Sequence, residues 1–234
     1  MAPIDTFSRR SFQAASLTLL AGCRLNKLPK YHSRLHKAFL VVDVPRDATV
    51  ETGNAASREP SGVHALVDAA VNIAQEVISV RLQRRLRELV PAGRVREMVA
   101  TIMVERMPDI GLEHVAIKDG PDTRMQLAVP SYGITSSSDL DPAKYHFDFR
   151  SLLVYEPEGK KIWRFNRRLA APIADVHVAV GHSSVVGNIS NAAALNDLTD
   201  MELERMLVQM VTDATHLFMD QLAYDFNRAR MGHG

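Results

Sequence analysis

The chain has 234 residues, of which 46% are hydrophobic and 24% charged, a composition that excludes a largely disordered protein. The formal net charge of +1 provides no global attraction to nucleic acid, so no nucleic-acid partner is expected. The single cysteine excludes an intramolecular disulfide and any metal site built from several cysteines.

The first 22 residues have the pattern of a secretory signal peptide. Arg9 and Arg10 end a short polar stretch, and residues 11–22 carry no charge. This uncharged run is too short to cross a hydrocarbon core, which requires about 20 residues as a helix. A positive stretch followed by a short apolar run is typical of an export signal.

The end of this segment carries a lipid-attachment pattern. Leu20, Ala21 and Gly22 directly precede Cys23, the only cysteine. An apolar residue and two small residues before a cysteine resemble the bacterial lipobox. The resemblance implies that residues 1–22 are removed and that Cys23 receives acyl chains such as palmitate. It places the mature protein on the periplasmic side of a membrane. The alternative is an amphipathic N-terminal helix with an incidental cysteine.

The export route stays open between two possibilities. The sequence of residues 8–12, Ser-Arg-Arg-Ser-Phe, resembles a twin-arginine export motif, whereas Gln13 and Ala14 depart from its usual continuation. A general secretory signal would need only the positive charge. After Cys23 stands Arg24 rather than an aspartate, which by resemblance to enterobacterial sorting rules favours the outer membrane.

Residues 23–36 are predicted to form a lipidated basic tether. Residues 24–37 include five lysines and arginines and no acidic residue. Such a segment can lie on anionic headgroups, at about 1 kcal/mol for each charge near the surface. It can equally be a solvated linker.

The mature domain is predicted to begin with a strand over residues 39–44, ended by Pro45. Residues 46–62 are rich in Gly, Asn, Ser and charge, which predicts a loop. Apolar residues at helical spacing then predict a helix over residues 63–90, with Ser61 as its N-cap.

Four arginines lie near the end of this helix: Arg81, Arg84, Arg85 and Arg87. Cations complement the negative C-terminal end of a helix dipole, which accounts for them structurally. The functional alternative is that the four arginines form a surface that binds an anionic partner.

The next segments mix a helix with strands. The spacing of apolar residues over 95–103 predicts a helix ending before Pro108, although its Val and Ile content leaves a strand open. Residues 115–117 and 125–129 are predicted as strands, separated by a turn at 119–122.

The last third contains a hairpin and a long helix. Residues 147–155 and 161–165 alternate in polarity around Glu-Pro-Glu-Gly, which predicts a β-hairpin. Thr199 and Glu202 form a capping-box pattern, and apolar residues keep helical spacing from there to about Arg228.

The order of elements predicts an α/β (α+β) fold: one sandwich of a mixed or antiparallel sheet with two or three helices, over residues 37–230. A strand over 125–133 and a hairpin over 152–163 are similar to the small domains of periplasmic lipoproteins, such as the curli-secretion lipoprotein and activators of penicillin-binding proteins. Architecture alone does not carry over functional residues.

The sequence contains little that indicates catalysis. The segment Gly181-His182-Ser183 lacks the second glycine of a hydrolase nucleophile elbow. Asp175 and His177 share a face if they lie in a strand, but a metal site needs another convergent ligand. No cofactor or metal is therefore expected.

Two functions fit these observations, and a third hypothesis is a cytoplasmic domain in which the lipobox pattern is accidental. The first is a non-enzymatic accessory or assembly lipoprotein of the cell envelope, with the membrane, an envelope protein or a second copy of the chain as partner. The alternative is a lipid-anchored hydrolase that uses the region of His177, His182 and Ser183.

Overall fold

A mixed β-sheet forms the centre of the fold. The structure, a computed structural model, describes residues 25–52, 77, 79–136, 144–173 and 198–232. Within these residues the sheet has six strands in the order β3-β1-β4-β5-β6, with β2 also paired to β4. The strands are β1 (Lys37–Asp43), β2 (Thr49–Thr52), β3 (Glu113–His114), β4 (Thr123–Ser136), β5 (Lys144–Tyr155) and β6 (Lys160–Pro172).

Helices pack on this sheet, which confirms the predicted α/β sandwich. α3 and α4 contact each other; α3 also contacts β1, and α4 contacts β5. The described helices are α1 (Leu28–Tyr31), α2 (residues 79–89), α3 (Ala92–Arg106) and α4 (Asp200–Arg230).

β1 and β2 lie end to end along β4, and both run parallel to it. β1 pairs from Ala38 opposite Thr123, and β2 pairs from Thr49 opposite Gly133. Gly133 has a φ of +140°, and a Cβ at this position would clash with the backbone oxygen of Thr49. A glycine is therefore required where β2 crosses close to β4.

The predicted hairpin is confirmed as β5 and β6. The two strands pair antiparallel from Tyr155 opposite Lys160 to Lys144 opposite Pro172. A short 3₁₀ turn connects them and ends at Gly159, whose φ of +60° lies in the left-handed region that favours glycine. Alternating burial along β5 directs aromatic side chains into the core, where Phe149 lies 5.8 Å from Phe218 of α4.

The capping box that begins α4 is also confirmed. The Glu202 amide donates to the Thr199 hydroxyl at 3.3 Å, and the Thr199 amide donates to the Glu202 carboxylate at 2.8 Å. The apolar stripe of this helix is buried, as its spacing predicted. Its buried residues include Leu203, Leu207, Val211, Phe218, Leu222 and Phe226.

The segment around residues 95–103, for which a helix was predicted and a strand left open, forms the helix α3. This helix continues from Arg106 into a 3₁₀ turn that contains Pro108. Asp47, on the segment between β1 and β2, accepts a hydrogen bond of 2.9 Å from the Ala92 amide at the first turn of α3. This contact joins α3 to the end of β1.

Two predictions about strands are wrong. Residues 49–52, predicted as part of a loop, form β2. Residues 115–117, predicted as a strand, follow the two-residue β3 and turn into a 3₁₀ helix at Ile117. β3 and β4 lie on opposite sides of β1, so the chain after His114 has to pass around the end of β1 and cannot continue as a strand.

Residues 25–36 are not a free tether, which corrects the predicted boundary at residue 37. Leu28, Tyr31 and Leu35 are only 0%, 2% and 3% exposed and belong to the hydrophobic core. The pattern of basic residues concealed these apolar positions. Because each is buried against the domain, the fold already includes the segment from Leu28 onward.

Other predictions lie partly or wholly outside the described residues. Of the helix predicted over residues 63–90, residues 77 and 79–90 are described; residues 77 and 79–89 are helical as predicted, and Val90 lies just beyond the end of the helix. The signal segment, Ser61, residues 175–177 and the loop predicted over 181–197 lie outside.

Candidate membrane-facing surface

The N-terminal segment adds a short piece of backbone to the edge of β6. Asn26 forms an antiparallel bridge with Trp163. The Lys27 amide donates to the Ile162 carbonyl at 2.7 Å, and the Arg164 amide donates to the Leu25 carbonyl at 2.9 Å. These bonds fix the path of the chain from its first described residue.

α1 then secures the segment to the domain. The Asn26 side chain accepts a hydrogen bond of 3.1 Å from the Leu28 amide, and Pro29 occupies the first turn, where a missing N–H costs nothing. The Tyr31 ring packs 5.2 Å from the ring of Tyr155 at the end of β5. The segment is thereby held on both β6 and the turn of the hairpin.

Glu158, in the hairpin turn, has three polar partners. It accepts hydrogen bonds from Lys160 at 2.7 Å and from the Tyr31 hydroxyl at 3.1 Å, and it lies 3.7 Å from Arg34. The hydrogen bond from Lys160 is the main cause that holds the pKa of Glu158 below its usual range, with Tyr31 and Arg34 contributing. One carboxylate therefore joins the hairpin turn to the N-terminal segment.

We call the surface formed by Leu25–Lys27 and by Lys161–Arg164 of β6 the anchor surface. Lys27, Lys161 and Arg164 are exposed on it, whereas Ile162 and Trp163 are buried beneath. The exposed side chains of this surface are therefore polar or basic. The sequence alone could not reveal this surface, because the pairing joins residues more than 130 positions apart.

The four arginines predicted as a partner-binding group have different environments. Arg85 forms a salt bridge of 2.6 Å with Asp200 and donates to the Leu198 carbonyl at 2.7 Å, so it secures α2 to the start of α4. Arg81 and Arg84 are exposed on α2. Arg87 lines a separate cleft. Binding of a partner by these arginines stays a prediction.

The remaining predicted site residues lie outside the described part of the chain. They are Arg9, Arg10, Leu20, Ala21, Gly22 and Cys23 of the signal and lipobox pattern, and His177, His182 and Ser183 of the hydrolase alternative.

A serine–histidine pair that sequence inspection missed is present within the sheet. The Ser131 hydroxyl lies 2.8 Å from His146 Nε2, and the Thr49 hydroxyl lies 3.4 Å from that of Ser131. His146 is fully buried, so a substrate could not reach its imidazole in this arrangement. The polar contacts connect β2, β4 and β5, which gives the pair a structural role.

The described residues contain no group of three or more His, Cys, Asp or Glu side chains placed to hold a metal ion. Nor does any helix among them have both the length and the apolar character needed to cross a membrane.

Comparison with known proteins gives only distant structural similarities. No protein-family model and no curated protein matches the chain. Protein XCC0632 of Xanthomonas campestris, from the DUF330 family, matches at 10% identity over 80% of this chain and 86% of its own, with a TM-score of 0.31. The PelC dodecamer of Paraburkholderia phytofirmans matches at 10% identity over 71% and 90%, with a TM-score of 0.24.

Lipoprotein GNA1162 of Neisseria meningitidis also matches, at 11% identity over 69% of this chain and 96% of its own, with a TM-score of 0.25. At these identities and TM-scores, the similarities carry no argument about the function of this chain.

Proposed function

We propose that the protein is a lipid-anchored, non-enzymatic component of the bacterial cell envelope, attached through Cys23 with its anchor surface against the bilayer. The observation that carries the proposal is the pairing of Leu25–Lys27 with β6, directly after the lipobox-like sequence. A flexible tether would leave the orientation of the domain free. A docked N-terminal segment instead restricts it.

The length of chain between lipid and domain makes this restriction strict. Cys23 precedes Leu25 by two residues, and two residues of chain span at most about 7 Å. Acyl chains on Cys23 would therefore hold Leu25 within the headgroup region or just above it. Multiple acyl chains are sufficient to anchor a protein stably, so the anchor requires no further contact.

The charges of the anchor surface suit this position. Lys27, Lys161 and Arg164 are exposed next to the segment that would meet the bilayer. Each such charge contributes about 1 kcal/mol near an anionic surface, and the contribution falls off within a Debye length. These residues would orient the domain, while the acyl chains would supply most of the affinity.

The side of the membrane on which the protein would lie is inferred from the sequence rather than from the fold. The signal pattern of residues 1–22 supports export, and Arg24 after the cysteine supports the outer membrane. Whether Arg9 and Arg10 act as a twin-arginine signal stays a prediction. The partner within the envelope, another protein or a second copy of the chain, is likewise a prediction.

A fluorescence-quenching experiment tests the orientation. The full-length lipidated protein is reconstituted into vesicles of phosphatidylethanolamine and phosphatidylglycerol that contain a nitroxide-labelled lipid. A fluorophore is attached at Lys161→Cys on the anchor surface or, as a control, at Glu97→Cys, exposed on α3. We expect strong quenching at position 161 and little at position 97.

The two parts of the proposal fail in different ways. Equal quenching at both positions in a lipidated protein would show that the anchor is correct but the orientation is wrong. Failure of the protein to remain with the vesicles, or equal retention of full-length Cys23→Ser, would contradict the anchor itself.

A further inference from the structure

A cleft opens where β1 ends, on the opposite side of β4 from β5 and β6. It has a volume of about 640 Å³, within the range of roughly 300–1,000 Å³ typical of small-molecule sites. Its walls come from the segment between β1 and β2, from α2 and from the first residues of α3. The cleft lies beside β4, in the gap between the end of β1 at Asp43 and the start of β2 at Thr49.

The charge of the cleft is positive. Arg46, Arg87 and Arg96 line it together with Asp47, so three guanidinium groups and one carboxylate give a formal charge of +2. The Asp47 carboxylate accepts the hydrogen bond from the Ala92 amide through one of its two oxygens, and its charge is included in this sum.

Two of the arginines are available to a ligand. Arg96 donates to the Val44 carbonyl at 3.5 Å, which holds its side chain at the end of β1. Arg46 and Arg87 are exposed, and in the described part of the chain neither forms a salt bridge. The helix dipole accounts for arginines near the end of α2, but not for Arg46, which lies on the segment between β1 and β2. The presence of these arginines in one cleft therefore requires a different explanation.

We propose that this cleft is a binding site for a phosphate group. A phosphate monoester carries a charge of about −1.5 to −2 at neutral pH, which matches the +2 of the cleft. Guanidinium groups bind phosphate with pairs of parallel hydrogen bonds, so Arg46 and Arg87 can engage its oxygens while Arg96 contributes positive charge. A carboxylate, with one charge and two oxygens, would be satisfied by a single arginine fork.

The position of the cleft indicates the source of the phosphate. The anchor surface lies on β6, separated from β1 by β4 and β5. If the proposed anchoring is correct, the cleft lies away from the bilayer that holds the protein. A soluble phosphate or phosphate ester is therefore the expected occupant, rather than a headgroup of that bilayer. The phosphate site itself does not depend on the anchor.

Calorimetric titration of the full-length protein in a non-ionic detergent tests the proposal. The probes are inorganic phosphate and glycerol 3-phosphate, with acetate as the carboxylate control. We expect saturable binding of both phosphates, weakened by salt and at least about tenfold stronger than any binding of acetate. Arg46→Gln and Arg87→Gln should each weaken phosphate binding about tenfold, the factor that one hydrogen bond to a charged group is worth.

Arg84→Gln is the matched control, because it removes one exposed arginine from the same helix without touching the cleft. It should leave binding unchanged. Equal weakening by Arg84→Gln would reduce the effect to general electrostatics and overturn the proposal, as would absent phosphate binding or equal affinity for acetate.

Flotation with phosphatidylglycerol vesicles separates the two phosphate sources. For this arm, Cys23→Ser removes the lipid, so that vesicle binding reports only on the protein surface. Flotation that is abolished by Arg87→Gln, without binding of the free phosphates, would support the phosphate site with a headgroup as its ligand. Flotation unaffected by Arg87→Gln, together with no binding of free phosphate, would contradict the site.

Discussion

The indole nitrogen of Trp163 donates a hydrogen bond of 2.9 Å to the carboxylate of Asp225, and both side chains are buried. Trp163 lies on β6 and bridges to Asn26, whereas Asp225 lies on α4. β6, which pairs with the N-terminal segment, and α4 therefore meet at one buried polar contact. Trp163 also packs 5.9 Å from Phe218, so apolar contacts surround this hydrogen bond.

Removal of this contact should be costly. Trp163→Phe removes the indole donor, so that the Asp225 carboxylate loses this hydrogen bond and keeps the one from Gln221 at 3.3 Å; a hydrogen bond to a charged group contributes about 1.5–3 kcal/mol. The free energy of unfolding, measured by urea denaturation, should fall by at least this amount. In Trp163→Phe with Asp225→Leu, both partners are apolar, so the combined loss should be smaller than the sum of the single losses. Strict additivity would show that the two side chains do not interact.

Gly133 should be intolerant of any side chain. Gly133→Ala would place a methyl group against the Thr49 backbone and force β2 away from β4, so we expect destabilisation of at least about 1–3 kcal/mol. Gly93→Ala is the control, because a Cβ there meets nothing within 4 Å and Ala favours a helix by about 1 kcal/mol. Thermal unfolding should rank Gly93→Ala at or above the wild type and Gly133→Ala well below it.

The contact between the hairpin turn and the N-terminal segment should depend on pH. The pKa of Glu158 is lowered from 4.5, mainly by Lys160, so its contribution to stability is present above that pH. The contribution is lost as the pH falls through the lowered pKa. Glu158→Gln should therefore lower the melting temperature at neutral pH, and the difference from wild type should disappear in acid. A difference that persists at low pH would assign the effect to packing.

Leu207 tests whether the described elements unfold together. It is buried on α4, and truncation of a buried leucine to alanine costs about 2–5 kcal/mol. Leu207→Ala should shift one cooperative transition to lower temperature, whereas Arg84→Ala, on an exposed position of α2, should change it little. Two separate transitions would contradict a single domain.

Local signals predicted much of this fold. The capping box of Thr199 and the alternation around Gly159 depend on neighbours a few residues away, and the structure places both as predicted. β2 and the docking of Leu25 were missed because both depend on distant partners. Thr49 pairs with Gly133, and Asn26 pairs with Trp163. No residue close to Thr49 or Asn26 in the sequence indicates either pairing.

The sites were harder to predict than the elements. Arg87 stood out within a run of arginines, but Arg46 and Arg96 come from other segments and join it only through the packing of α3 beside the end of β1. Arg85, which the run made equally prominent, forms its salt bridge with Asp200. Charge runs along the sequence do not distinguish arginines that support the fold from those that face a ligand.

Metabolic labelling tests the central claim most directly. Cells that produce the full-length protein are fed an alkyne analogue of palmitate, and the purified protein is examined for the label. The wild type should carry it on a species shortened by the signal segment, and Cys23→Ser should be unlabelled and unprocessed. Label on Cys23→Ser, or an unlabelled wild type in bacteria that lipidate a control lipoprotein, would contradict the account.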